Sequence, residues 1–212
     1  MKSSGLRSSP MTPTAEELEA GCTAFRLHET RDAMYRTASF LVEHFWGQPA
    51  ELADSLGVLL LTWNQAHYRY GSFDFSKLQR CLETNAAVLQ HFRARNILDF
   101  TPADEPDIRY LFDALLSALC IADGSRAGAQ SPVAVGKALH LLAPDFFPMW
   151  DKKIAQAYSC GYSSRPTEKY LAFMRLSKNM ACTLRPVIPA GSKNLLKLLD
   201  EYNYAKYTKA WI

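Results

Sequence analysis

Asp151 is followed directly by two lysines in the segment FFPMWDKKIAQAY, residues 146–158. Pro148 fixes the chain just before the aspartate, and KKIAQAY continues with helical spacing, so Asp151 is predicted to be the N-cap of a helix. Lys152 and Lys153 then fall in the first helical turn, where cations oppose the helix dipole. They would suit a helix end that faces an anion such as a phosphodiester backbone. Alternatively, both lysines point into water at a small cost.

The segment SPVAVGKALHLLAPDFFPMWD, residues 131–151, places a predicted glycine-centred turn and a short helix upstream of this aspartate. The order of hairpin, short helix, apolar connection and helix-capping aspartate resembles the helix–hairpin–helix DNA glycosylase superfamily. Its members carry a hairpin of the type LPGVGxKTA and then VDTHV, which contains the catalytic aspartate. Val135 and Gly136 match the VG of that hairpin, and Asp151 matches the aspartate. The resemblance covers about thirty residues well and the rest of the chain only in helical character.

The predicted hairpin departs from the superfamily pattern at two positions. Ala134 replaces its first glycine, and Ala138 stands where bifunctional members carry the lysine that forms a Schiff base. Lys137 comes one residue too early, and on a helix one residue turns a side chain by about 100°. The resemblance therefore implies a monofunctional enzyme. Lys137 remains a candidate catalytic residue, because a hairpin wound differently would bring its amine to the sugar.

The chemistry that the resemblance implies is cleavage of an N-glycosidic bond. Positive charge then develops on the deoxyribose, and Asp151 would stabilise it and orient or deprotonate a water molecule. A helix N-terminus favours the ionised aspartate that this role needs. The same feature serves a purely structural cap, so the cap alone does not discriminate between the two interpretations.

A pocket for the flipped base would need flat rings and amide groups, which the segment TWNQAHYRYGSF, residues 62–73, supplies. The candidates are Trp63, Asn64 and Tyr68 from this segment, together with Trp150 and His140. Aromatic side chains at a helix end can equally belong to the core, and His140 can equally be a buried, hydrogen-bonded histidine.

Contacts to the DNA backbone are predicted for residues near three helix starts. These candidates are Gly136, Lys152, Lys153, Ser192 and Lys193. A wider set of cations could form the basic stripe that a duplex needs, namely Arg93, Arg95, Arg126, Lys137, Lys152 and Lys153. The lysines of the C-terminal segment could equally form a solvated face. The formal net charge of +3 neither demands nor forbids such a partner.

Composition limits the remaining possibilities. Hydrophobic residues make up 48% of the 212, enough for a sizeable core. Five cysteines without a CxxC motif indicate reduced, mostly buried thiols in a cytoplasmic protein. The histidines show no metal-ligand spacing, so no metal and no cofactor is expected. No segment reaches the ~18 apolar residues of a membrane span. The protein is expected to be a monomer.

The elements that must position these residues are predicted to be helices throughout. Helical periodicity predicts an all-α fold of eight to ten helices, and the resemblance implies a two-lobed, glycosylase-like arrangement with a degenerate helix–hairpin–helix. Thr14 followed by Glu17 forms a capping-box pattern at the first helix. The Ser/Pro-rich residues 1–13 are predicted to be a flexible tail, and residues 14–212 a single domain, which could be divided into two lobes.

The function expected from these observations is that of a DNA glycosylase that acts on a flipped damaged or modified base. It would serve base-excision repair or defence against modified phage DNA. Two alternatives use the same scaffold without chemistry. The first is a noncatalytic module that binds duplex DNA with salt dependence, and the second is a helical protein-interaction domain without DNA affinity.

Overall fold

A computed structural model describes residues 12–188 and 194–212 of the chain. These described residues form eleven α-helices and contain no β-strand, so the all-α prediction is confirmed. The α-helices are α1 (Ala15–His28), α2 (Ala33–His44), α3 (Pro49–Trp63), α4 (Gln65–Tyr68), α5 (Phe75–Thr84), α6 (Ala86–Arg93), α7 (Glu105–Ala118), α8 (Pro132–Leu142), α9 (Lys152–Ala157), α10 (Pro166–Leu184) and α11 (Leu195–Asn203). A π-helical turn, Tyr204–Thr208, continues from α11.

The helix starts follow the local signals of the sequence. The Thr14 hydroxyl accepts a hydrogen bond from the Glu17 amide, while the Glu17 carboxylate accepts one from the Thr14 amide, which confirms the capping box. Asp151 caps α9 as predicted. The α7 helix begins with Glu105 and has proline in its first turn.

Two long helical stretches are each broken at an asparagine, which raises the number of α-helices among the described residues to eleven, above the predicted eight to ten. The Asn64 side chain donates to the Leu60 carbonyl at 3.1 Å, and the Asn85 side chain donates to the Cys81 carbonyl at 2.8 Å. The backbone N–H of each asparagine donates to the same carbonyl, at 2.9 Å for Asn64 and 3.1 Å for Asn85. Each asparagine is the cap at which one helix ends and the next begins.

The core is one continuous cluster, to which every α-helix longer than one turn contributes. The α1 helix packs against α11 and the π-helical turn, α3 against α2 and α5, and α7 against α8 and α10. The π-helical turn also packs against α9. The start of α9 is therefore held by the C-terminal end of the chain.

Three predictions about composition and boundaries can be compared with this structure. Residues 1–11 of the predicted tail lie outside the described residues, whereas Pro13, its last residue, is buried. No helix among the described residues is long and apolar enough to cross a bilayer. No disulfide joins the five cysteines; Cys22 and Cys160 are buried, whereas Cys182 is exposed.

Candidate active site

A cavity of about 300 Å³ is the candidate site, because it contains both residues predicted to be catalytic. Its rim reaches the surface, since Glu29, Ala33 and Thr62 are exposed. Aromatic, acidic and basic side chains share its walls. The lining residues are Phe25, Glu29, Asp32, Ala33, Met34, Thr62, Trp63, Lys137, Met149, Trp150, Asp151, Ile154, Lys197, Asp200 and Tyr204.

Asp151 is fixed in this cavity by two hydrogen-bond donors. One carboxylate oxygen, Oδ1, accepts the backbone N–H of Ile154 at 2.8 Å, which is the capping bond of α9. The other, Oδ2, accepts the hydroxyl of Thr208 at 2.5 Å. Because the two donors lie on different elements, the carboxylate has little freedom to rotate.

Lys137 reaches the same cavity from α8. Its Nζ donates to the Trp63 carbonyl and to Asn64 Oδ1, both at 3.2 Å, and lies 4.5 Å from the centre of the Trp63 ring. Burial lowers the pKa of Lys137 to about 8, and the carboxylates of Asp200 and Asp151 oppose that shift. At neutral pH this amine is therefore mainly protonated, with a minor neutral fraction.

A third group of charges completes the cavity wall. The buried Lys197 ammonium lies 3.0 Å from an Asp32 oxygen and 3.7 Å from an Asp200 oxygen. Burial raises the pKa of Asp200 to about 6, although the Lys197 ammonium opposes the shift; the Asp151 carboxylate reinforces it. Burial alone would lower the pKa of Lys197, but its carboxylate partners outweigh this effect and raise it.

The structure brings together some of the predicted base-pocket residues. Trp63 lines the cavity, and the Asn64 amide oxygen accepts a hydrogen bond from the Lys137 ammonium. Trp150 contributes only to the floor, since 1% of it is exposed and its indole N–H donates to the Pro132 carbonyl at 3.1 Å.

Two other predicted pocket residues do not line this cavity. Tyr68 is buried in the core, where its hydroxyl donates to the Leu119 carbonyl at 2.9 Å. His140 is fully buried, with Nδ1 2.7 Å from the Phe147 carbonyl oxygen and Nε2 3.1 Å from the Tyr35 hydroxyl. Burial lowers the pKa of His140 to about 4, as expected of a neutral core histidine.

The predicted glycine-centred turn is wrong, because α8 begins at Pro132 and runs through Gly136 without interruption. The Ser131 hydroxyl caps this helix by accepting the Ala134 amide at 3.2 Å. Gly136 is buried against Trp150, and a Cβ there would lie 2.7 Å from an indole carbon, so close packing explains the glycine better than a DNA contact. Ala138 is fully buried in the core, whereas Lys137 reaches the cavity. The one-residue shift therefore does not turn Lys137 away from Asp151.

The structure describes only some of the residues that were predicted to contact the DNA backbone. Lys152 and Lys153 are exposed, and the Lys153 Nζ donates to the Thr208 carbonyl at 2.7 Å. Ser192 and Lys193 lie outside the described residues.

Two members of the wider basic stripe, Arg93 and Arg95, are paired within the protein. Arg93 pairs with Glu43 and donates to the Leu142 carbonyl, while Arg95 bonds both oxygens of Asp104. These two guanidiniums are occupied within the protein and are not available as a pair of phosphate contacts.

The residues that sequence reasoning missed are Asp32, Lys197 and Asp200. Lys197 and Asp200 are one turn apart on α11, a spacing that usually indicates a solvated ion pair. No local signal shows that this face of α11 is turned inward against α1.

Comparisons with known proteins give no relative for this arrangement. No protein-family model matches the chain, and no curated protein or solved structure matches it at a significant level.

Proposed function

We propose that this protein is a monofunctional DNA N-glycosylase, which hydrolyses the N-glycosidic bond of a flipped damaged or modified base. The observation that carries the proposal is that Asp151 and Lys137 line one cavity together with Trp63. These residues come from α9, α8 and the end of α3, so tertiary packing, rather than sequence proximity, brings them together.

The cavity has the size and chemistry that a single base requires. Its volume of about 300 Å³ lies at the lower end of the range of ligand pockets. Trp63, Tyr204 and Phe25 offer aromatic surface, while the carboxylates and ammonium groups offer acceptors and donors for the edge of a base.

In the proposed reaction, Asp151 acts on the sugar. Its carboxylate, held by Ile154 and Thr208, stabilises the positive charge that develops as the glycosidic bond breaks. It then takes a proton from the water that attacks the sugar carbon. Lys137 supplies a hydrogen-bond donor to the bound nucleotide in its protonated form, which predominates below its pKa of about 8.

The proposed partner is double-stranded DNA, bound by a monomer, and the proposal includes a two-lobed, glycosylase-like arrangement of the helices. The exposed Lys152, next to the cavity residue Asp151, supports a phosphate contact close to the site. A base excised from the cell's own DNA would place the protein in repair, and a base specific to phage DNA would place it in defence.

The test is base release from duplexes that each carry one modified base, with the filtrate analysed by mass spectrometry. The set includes 7-methylguanine, hypoxanthine, 8-oxoguanine, uracil and hypermodified pyrimidines. Release of any of them supports a glycosylase. Salt-dependent duplex binding without release would instead identify a noncatalytic DNA-binding module, and the absence of both would favour a protein-interaction domain.

A further inference from the structure

Two of the carboxylates that line the candidate cavity have different surroundings. Asp151 lies at the start of α9 and Asp200 lies on α11, and both line the cavity that holds Lys137. They are close enough to interact electrostatically with each other and with the Lys137 ammonium.

Asp151 and Asp200 differ in their hydrogen-bond and ion-pair partners. Asp151 accepts a hydrogen bond on each oxygen. The Asp200 side chain is 14% exposed, and its nearest cation, Lys197, is shared with Asp32, whose oxygen lies closer to the ammonium. Two carboxyl groups held in such different environments are the usual basis for dividing acid and base roles between them.

The charged and titratable groups around Asp200 come from three helices and the start of a fourth. They are Asp32 and Tyr35 at the start of α2, Lys137 on α8, Asp151 before α9, and Lys197 and Glu201 on α11 itself. Burial and the three other carboxylates favour the protonated form of Asp200, and Lys197 opposes them, so its pKa rises to about 6. At pH 7, a minority of the protein then carries a protonated Asp200.

We propose that Asp200 is the general acid that protonates the departing base, an assignment that rests on the proposed glycosylase function. As the bond between the sugar carbon and the base nitrogen breaks, its electron pair goes to the base. The Asp200 carboxyl donates its proton to a ring nitrogen of the base. Water adds to the sugar carbon and loses a proton to Asp151, and exchange with solvent then restores both carboxyl groups.

The experiment compares base release by wild-type protein and by Asp200→Asn across the pH range. Two kinds of duplex are used, one with a neutral purine, hypoxanthine or 8-oxoguanine, and one with 7-methylguanine, which is already cationic. We expect wild-type release of the neutral purine to fall as pH rises through about 6, because Asp200 loses its proton there. In Asp200→Asn, release of the neutral purine should be slower by a factor of about 10² to 10⁴ and should no longer fall as pH rises through about 6; we call this fall the pH limb. Release of 7-methylguanine by the same variant should persist.

Asp32→Asn is the matched control, because it also removes a carboxylate from Lys197. The Asp32 carboxylate raises the pKa of Asp200. Its replacement by asparagine should therefore shift the pH limb of neutral-purine release to lower pH without abolishing it. If Asp200 only positions Lys197, Asp32→Asn should reproduce the loss seen in Asp200→Asn.

The outcomes separate this proposal from the function on which it rests. If wild-type protein releases no base, the glycosylase function itself fails. If it releases only 7-methylguanine, or if Asp200→Asn keeps the pH limb on the neutral purine, the glycosylase stands and Asp200 is not its acid. Equal loss on both substrates in Asp200→Asn would also overturn the assignment, since a general acid is not needed for a cationic leaving group.

Discussion

Replacement of Asp151 by asparagine separates its structural role from its chemical role. Asparagine is about as good an N-cap as aspartate, so its Oδ1 can keep the bond from the Ile154 amide. Its Nδ2 then faces the Thr208 hydroxyl, which can accept as well as donate. We therefore expect the melting temperature of Asp151→Asn to stay close to that of the wild type.

Asp151→Ala provides the structural reference. Loss of the cap costs about 1 kcal/mol, and loss of the partner of Thr208 costs about 1 kcal/mol more. For a chain of this size, 1 kcal/mol corresponds to about 2–4 °C, so we expect its melting temperature to fall by about 4–8 °C.

Base release should be lost in both Asp151 variants, because neither retains the charge that stabilises the sugar cation. Removal of a general base typically lowers the rate by about 10² to 10⁴. The assay is single-turnover release of whichever base the wild-type protein excises, beside thermal melting of the same preparations. Asp145→Asn, which neutralises an exposed carboxylate outside the cavity, should leave release unchanged. Normal release by Asp151→Asn would reduce Asp151 to a helix cap, and a melting temperature as low as that of Asp151→Ala would show that the isosteric argument is wrong.

Three further predictions concern Lys137, the exposed lysines and the packed glycine. Base excision should leave intact abasic sites at pH 7, and borohydride should trap no protein–DNA adduct. An adduct that increases as pH rises through about 8, the pKa of Lys137, and disappears in Lys137→Met would show that the protein is bifunctional. In duplex binding, Lys152→Ala should lower the salt slope by about one unit and Lys152→Ala/Lys153→Ala by up to about two, whereas an unchanged slope would mean that neither contacts phosphate. Gly136→Ala should destabilise the protein by about 1–3 kcal/mol in denaturant titration, because its Cβ would overlap a rigid indole, while Gly161→Ala, with open space around it, should have little effect.

The parts of the structure that the sequence predicts well depend on neighbouring residues. The capping box at Thr14 and the cap at Asp151 are local features, and both are present. The predicted turn at Gly136 failed because two physical causes favour a glycine there, a turn or a close contact. Only the position of Trp150, which comes from tertiary packing, decides between them.

The composition of the cavity could be predicted only in part, for a related reason. Helical rotation relative to the pattern that this segment resembles predicted that Lys137 would point away from the sugar, but that argument takes Gly136 as the centre of a turn. Here Ser131 caps α8, the helix runs through Gly136, and Lys137 reaches the cavity. Asp200 is brought to the cavity by packing of α11 against α1, a contact between the two ends of the chain that no local pattern encodes.

The two lysines behind Asp151 now have different physical explanations. Lys153 lies in the first turn of α9, where a cation opposes the helix dipole, but its Nζ donates to the carbonyl of Thr208. The hydroxyl of the same threonine donates to Asp151, so the π-helical turn is attached to α9 through both its backbone and its side chain. Lys153 therefore helps to position the donor that orients the candidate catalytic carboxylate. That role leaves Lys152, which is exposed beside the cavity, as the stronger candidate for a phosphate contact.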